Sequence, residues 1–153
     1  MSHRFDPTSL REYDIRGIVG MTLGESDARA LGRSFGTLVR RAGDRRVAVG
    51  RDGRESSPKL EAALVRGLTE SGADVVRVGV GPTPMLYYAE AELDVGGGIM
   101  ITGSHNPADY NGFKMLLGGR SLFGAEIQAL GARCAAGQWS EGEEHDRQNC
   151  GLE

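Results

Sequence analysis

Apolar positions recur at helical spacing in three stretches of the chain, and a start signal marks a fourth helix. Ala28, Leu31, Phe35, Leu38 and Val39 repeat every three to four residues and predict a first helix over about 23–41. TLGE (22–25) precedes it at capping-box spacing, and Arg40 and Arg41 stand at its negative end. Leu60, Ala63, Leu64, Gly67 and Leu68 mark the buried face of a second helix, with Ser57 as N-cap, Pro58 as first helical residue and Gly72 as terminator. Thr83 and Pro84 repeat that start signal for a third helix running to about Glu92. A fourth spans 125–135, with Ile127, Leu130 and Cys134 turned inward. Between these lie short apolar runs that read as buried strands: RVAVG (46–50), ADVVRV (73–78), GGIMIT (97–102) and GFKMLL (112–117). TSLREYDIRGIVG (8–20) mixes apolar and charged residues without a period and reads as extended, with turns at Gly17 and Gly20.

Strands separated by helices predict parallel pairs with right-handed crossovers. The third and fourth strands are joined by nine residues rich in turn formers, which favours an antiparallel return. The expected architecture is a three-layer α/β/α domain over residues 1–137, with a small mixed sheet of about four strands, the last antiparallel. QWSEGEEHDRQNCGLE (138–153) is polar and aperiodic and reads as a linker or disordered tail. Sites in open α/β sheets form beyond the carboxyl ends of strands. Three loops qualify: RDGRESS (51–57), GVGPTP (79–84) and GSHNPADYN (103–111).

Composition narrows the classes. The 153 residues suit one domain, and 39% apolar with 25% charged residues is ordinary for a soluble protein. A net charge of −3 argues against nucleic-acid binding by phosphate neutralisation. No apolar run reaches the ~20 residues of a membrane helix, and the N-terminus lacks a signal-peptide pattern, so a cytoplasmic location is expected. Cys134 and Cys150 are too few for a disulfide scaffold or a closed zinc site. The cations are sixteen arginines and two lysines, Lys59 and Lys114. Arginine stays protonated in proteins, so amine acid–base chemistry falls to one of those two lysines.

TGSHNP (102–107) is the richest candidate for chemistry: a glycine allows a sharp bend that exposes the Ser104 hydroxyl. A surface turn with capping hydroxyls accounts for the same residues equally well. A serine hydrolase needs a histidine placed to take the serine proton. His105 is adjacent, where side chains of an extended segment diverge, and His3 and His145 are terminal. The nucleophile-elbow and P-loop patterns are absent, and GVGPTP departs from a dinucleotide fingerprint at Pro84.

TGSHNP followed by DYNGFK (109–114) resembles the active-serine loop of the α-D-phosphohexomutases, most closely the bacterial phosphomannomutase/phosphoglucomutases. YDIRG (13–17), GRDGRESSP (50–58) and PTPMLYYA (82–89) resemble three further family segments in the same order, so the likeness spans about residues 8–135. The resemblance implies a phosphoserine at Ser104, proton transfer by Lys114, a charged phosphoryl environment held by Arg16 and His105, and a substrate cleft lined by Tyr13. Arg51 and Asp52 would brace the loops. It also implies reversible movement of a phosphoryl group between O1 and O6 of a hexose, through a bound 1,6-bisphosphate. Mg²⁺ would touch this chain only through the phosphoserine oxygen of Ser104. The family's metal, sugar and phosphate loops belong to later domains and have no counterpart in these residues, so the expected partners are hexose phosphates, hexose 1,6-bisphosphate and the remaining domains of the same enzyme, without nucleic acid or membrane. Little turnover and some self-association are expected of such a domain alone. A phosphoglucosamine mutase domain and a stand-alone, non-catalytic sugar-phosphate-binding module remain the alternatives.

Overall fold

Residues 2–139 are described by the structure, a computed structural model. The apolar stripe read in the sequence becomes helix α1 (Glu25–Arg41), and Ser57–Glu70, Thr83–Glu92 and Ala125–Ala136 form α2, α3 and α4. The strands are β1 (Ile15–Ile18), β2 (Arg46–Arg51), β3 (Asp74–Val80), β4 (Gly97–Ile101), β5 (Tyr110–Leu117) and β6 (Arg120–Ser121). They make one sheet in the order β1-β5-β4-β2-β3, with β6 also on β5. β2 runs parallel to β3 and β4, and β5 returns antiparallel to β4, as the connections required. The sheet has six strands rather than about four. β1 escapes the pattern because it buries Arg16 and Gly17 beside two isoleucines, and β6 is an exposed two-residue strand.

Alternation along the strands sorts the core into two layers. Ile15, Val47, Val49, Ile99, Ile101, Phe113 and Met115 meet Leu31, Phe35, Leu64, Leu68, Ile127 and Leu130 from α1, α2 and α4. Ala48, Met100 and Leu116 meet Leu86 of α3 on the other side. The helical layer depends on backbone contact between α1 and α2. A Cβ at Gly67 would stand 2.0 Å from the Arg29 carbonyl oxygen, and one at Gly32 would stand 2.4 Å from that of Leu64. α3 packs mainly over β2 and β4 and meets β5 at Leu116, which leaves Lys114 of β5 half-exposed on the same face.

The helix starts differ from the expected caps because the hydroxyls have other partners. Gly24 precedes α1, and Asp27 reaches back to its N–H at 2.8 Å. Thr22 instead accepts from the Ile18 N–H at 2.9 Å and closes the turn after β1. Ser57 lies inside α2 and donates to Asp52, with Ser56 at the cap. Pro82, not Thr83, precedes α3. Gly17 is a strand residue, whereas Gly20 does make the turn, at φ 86°. Of the segment read as a tail from 138, Trp139 packs against the core, with the Arg33 guanidinium 4.4 Å above its ring. Residues 140–153, with His145 and Cys150, lie outside the described residues.

Candidate active site

Ser104 follows β4 on the first bend beyond its carboxyl end. It is the only described non-glycine residue with a positive φ, 53°. A left-handed serine costs on the order of 1–3 kcal/mol and persists only where neighbours enforce it. Thr102 Oγ1 accepts the Ser104 N–H at 2.9 Å, and the Asn106 N–H returns to the Gly103 carbonyl at 3.0 Å. The side chain of Ser104 is half-buried rather than lost in the core.

The β2–α2 loop grips this bend. Asp52 accepts from the Gly103 N–H at 3.0 Å, the Arg54 N–H at 3.1 Å and the Ser57 hydroxyl at 2.6 Å. Asn111, fully buried, donates to both Ser56 and Ser57 and ties the start of β5 to the same helix end. Gly103 is needed here, since a Cβ would stand 2.2 Å from the Arg54 guanidinium carbon.

The neighbouring strands bring up the cations. Arg16 is only 8% exposed; it pairs with Asp14 and donates from Nη2 to Ser104 Oγ at 3.2 Å. Its Nε is buried without an acceptor among the described residues. In the register of β1 on β5, Arg16 faces Gly112, whose missing side chain lets the β1 backbone come close: a Cβ there would stand 2.3 Å from the Ile15 carbonyl oxygen. Lys114 stands two residues further along β5, on the same face as Gly112 by strand alternation. Its neighbours Phe113 and Met115 point the other way, into the main core. Lys114 therefore opens onto the uncovered face, where Tyr13, Tyr87, Arg120 and Phe123 line with it a cavity of about 410 Å³. Tyr13 is 75% exposed.

Serine, arginine and lysine thus share one side of the sheet. His105 is exposed and forms no hydrogen bond among the described residues. His3 is engaged elsewhere, with Asp27 at 2.6 Å, so neither histidine is paired with Ser104. Burial pushes the Cys134 thiol up to about 11, which removes it as a nucleophile. No group of three or more His, Cys, Asp or Glu side chains able to hold a metal occurs among the described residues. The carboxylate nearest Ser104 through this network, Asp14, is already spent on Arg16. These residues do not make a Mg²⁺ site by themselves.

Comparison with known proteins identifies the family. Residues 7–141 match the family described as phosphoglucomutase/phosphomannomutase, alpha/beta/alpha domain I. The chain belongs to that family. Similar proteins include a phosphoglucomutase of Neisseria gonorrhoeae, 53% identical over 120 residues, covering 78% of this chain and 26% of the relative. A phosphomannomutase/phosphoglucomutase of Pseudomonas aeruginosa is 50% identical over 128 residues, covering 83% and 28%. Among solved structures, a phosphoglucomutase/phosphomannomutase family protein from Burkholderia thailandensis superposes with a TM-score of 0.87 at 44% identity, covering 91% of this chain and 32% of that one. The chain spans about a quarter of the length of these curated relatives. No helix among the described residues is long and apolar enough to cross a membrane.

Within this phosphoglucomutase/phosphomannomutase domain, sequence reasoning missed two residues that the site depends on. Asp14 sits two positions from Arg16, and extended spacing alone places both on one side of the chain. Arg54 gave no comparable signal. Burial alone would raise the Asp52 carboxyl, but hydrogen bonds from Ser57, the Gly103 and Arg54 N–H groups and Thr102 bring it below its ordinary value. A lowered folded value adds stability above the ordinary carboxylate range and loses it as pH falls through the folded value. The exchange protection of the Gly103 amide should therefore be full at about pH 6 and be lost only below the ordinary carboxylate range, as Asp52 takes up its proton. An Asp52→Asn protein that keeps the wild-type protection of Gly103 at about pH 6 would show that the carboxylate does not hold the bend.

Proposed function

We propose that this chain presents the phosphoryl-carrying serine of a hexose-phosphate mutase. The observation that carries the reading is the hydrogen bond from buried Arg16 to Ser104 Oγ. A phosphoryl group on Ser104 would bring oxygens within reach of that guanidinium. Arginine suits this task because it offers several donors and never loses its charge.

The reaction begins with the phosphoryl group on Ser104. A hydroxyl oxygen of the bound hexose monophosphate attacks phosphorus, the Ser104 Oγ–P bond breaks, and the hexose becomes a 1,6-bisphosphate. Lys114 is the proton-transfer partner that takes the hydroxyl proton, and the departing Ser104 oxygen is held by Arg16. The reverse step, on the other phosphate of the reoriented bisphosphate, returns the phosphoryl group to Ser104 and the proton to the sugar. His105 offers a ring N–H next to Ser104 for the phosphoryl oxygens, and Tyr13 lines the cleft. Positioning and charge neutralisation supply most of the acceleration in transfers of this kind. Mg²⁺, when bound, would neutralise the transferring charge and would meet this chain only at the Ser104 phosphoryl oxygen.

Intact-mass analysis after incubation with glucose 1,6-bisphosphate tests the reading. The wild-type chain should gain one phosphoryl group, mapping to Ser104, and Ser104→Ala should gain none. Sugar-phosphate binding without covalent change in either protein would instead identify a non-catalytic binding module. Steady-state glucose 6-phosphate formation by this chain alone is expected to be small.

A further inference from the structure

We propose that Arg54 is a positioning residue for phosphoryl transfer, its guanidinium serving as the mould on which the left-handed bend at Ser104 is formed. The inference rests on the mutase reading above and adds a residue to it. Nη1 donates to the carbonyl oxygens of Pro107 at 2.6 Å and Tyr110 at 3.1 Å. Nη2 donates to those of Ser104 at 3.1 Å and Asn106 at 2.8 Å. Nε donates to Asp52 Oδ2 at 3.2 Å. A guanidinium has five N–H donors in a planar fork, and here five acceptors receive them.

This saturation separates Arg54 from Arg16. Arg16 donates to the Ser104 side chain itself, whereas Arg54 is occupied by Asp52 and the loop carbonyls and has no donor to spare for a phosphate or a sugar. Arg54 acts through the loop. Four carbonyl oxygens from residues 104–110 converge on one plane, and without the cation between them their dipoles repel. The loop then has no reason to keep Ser104 at a φ of 53°. Gly103 completes the fit, since the space its Cβ would need is filled by the guanidinium. Lysine keeps the charge but offers three donors from a single point, so it cannot span the four carbonyls.

The experiment compares wild type, Arg54→Lys and Arg54→Ala by the rate at which Ser104 gains a phosphoryl group from glucose 1,6-bisphosphate. Arg54→Ala should be about 100-fold slower, the scale of a one-ångström misplacement. Arg54→Lys should also fall by at least about tenfold despite its retained charge. Millimolar methylguanidinium should restore much of the Arg54→Ala rate and leave Arg54→Lys unchanged. In parallel, the Cα and Cβ chemical shifts of Ser104 in the unphosphorylated proteins should report a left-handed residue in wild type and its loss in both variants. A Lys variant that is phosphorylated at the wild-type rate, or that keeps the left-handed shifts, overturns the proposal. If the wild-type chain takes up no phosphoryl group, the mutase reading falls while the shifts still decide the role of Arg54. If Arg54→Ala does not fold, Arg54→Lys decides it.

Discussion

Lys114→Met should slow the return of the phosphoryl group from phosphorylated Ser104 to an added hexose monophosphate by about 10²–10⁴-fold, the range typical of losing a general acid–base group. The side chain leaves β5 toward the face that also carries Arg16, while its neighbours along the strand are sealed in the core. Lysine is scarce in this chain. Lys59, the second lysine of the chain, is exposed in the first turn of α2, and every other fixed cation is an arginine. Lys114→Arg should therefore be nearly as slow as Lys114→Met, because a guanidinium keeps the charge but does not exchange a proton near neutral pH. Loss of the phosphoserine mass, followed over time after adding glucose 1-phosphate, reads both variants. A Met variant within about threefold of wild type would remove Lys114 from the chemistry.

The largest effect on stability is expected at a glycine that helix propensity alone would have replaced. Gly67 lies inside α2, where alanine is ordinarily favoured by about 1 kcal/mol. Here the added methyl group would stand 2.0 Å from the Arg29 carbonyl oxygen and 3.0 Å from the Arg33 nitrogen, both backbone atoms of α1. Backbone cannot turn aside as a side-chain tip can, so the helices must separate and the packing of Leu31, Leu64 and Leu68 must loosen with them. Gly67→Ala should destabilise the domain by about 2–3 kcal/mol in urea unfolding, reversing the sign that propensity gives. Gly53→Ala, with nothing within 4 Å of its Cβ, is the control and should be near neutral. A Gly67→Ala protein as stable as wild type would mean that the two helices are not held this closely.

Helices α1, α2 and α4 were legible in sequence because each buries a continuous apolar stripe, and β2 to β5 because they are short apolar runs between turn formers. β1 was not, because its register serves Arg16, a charged residue that no hydrophobic pattern places in a sheet. The caps shifted by a residue or two for a related reason: the Ser57 hydroxyl is committed to Asp52 rather than to its own helix. At the site, Ser104, Arg16 and Lys114 could be named from their motifs, and the structure sets them on one face. Arg54 lies in a loop singled out in the sequence, but its role could not be read there because its partners are mostly main-chain carbonyls, which every sequence possesses. Only the path of the folded loop brings four of them to one guanidinium.

The unequal dressing of the sheet has an evolutionary consequence. Three helices anchor one side and α3 alone part of the other, so the thermodynamic foundation and the reactive surface occupy opposite sides of the same strands. Exposed positions such as Tyr13, Tyr87 and Phe123 can change with little penalty in folding, whereas comparable change beneath α1 and α2 would be purged through lost abundance.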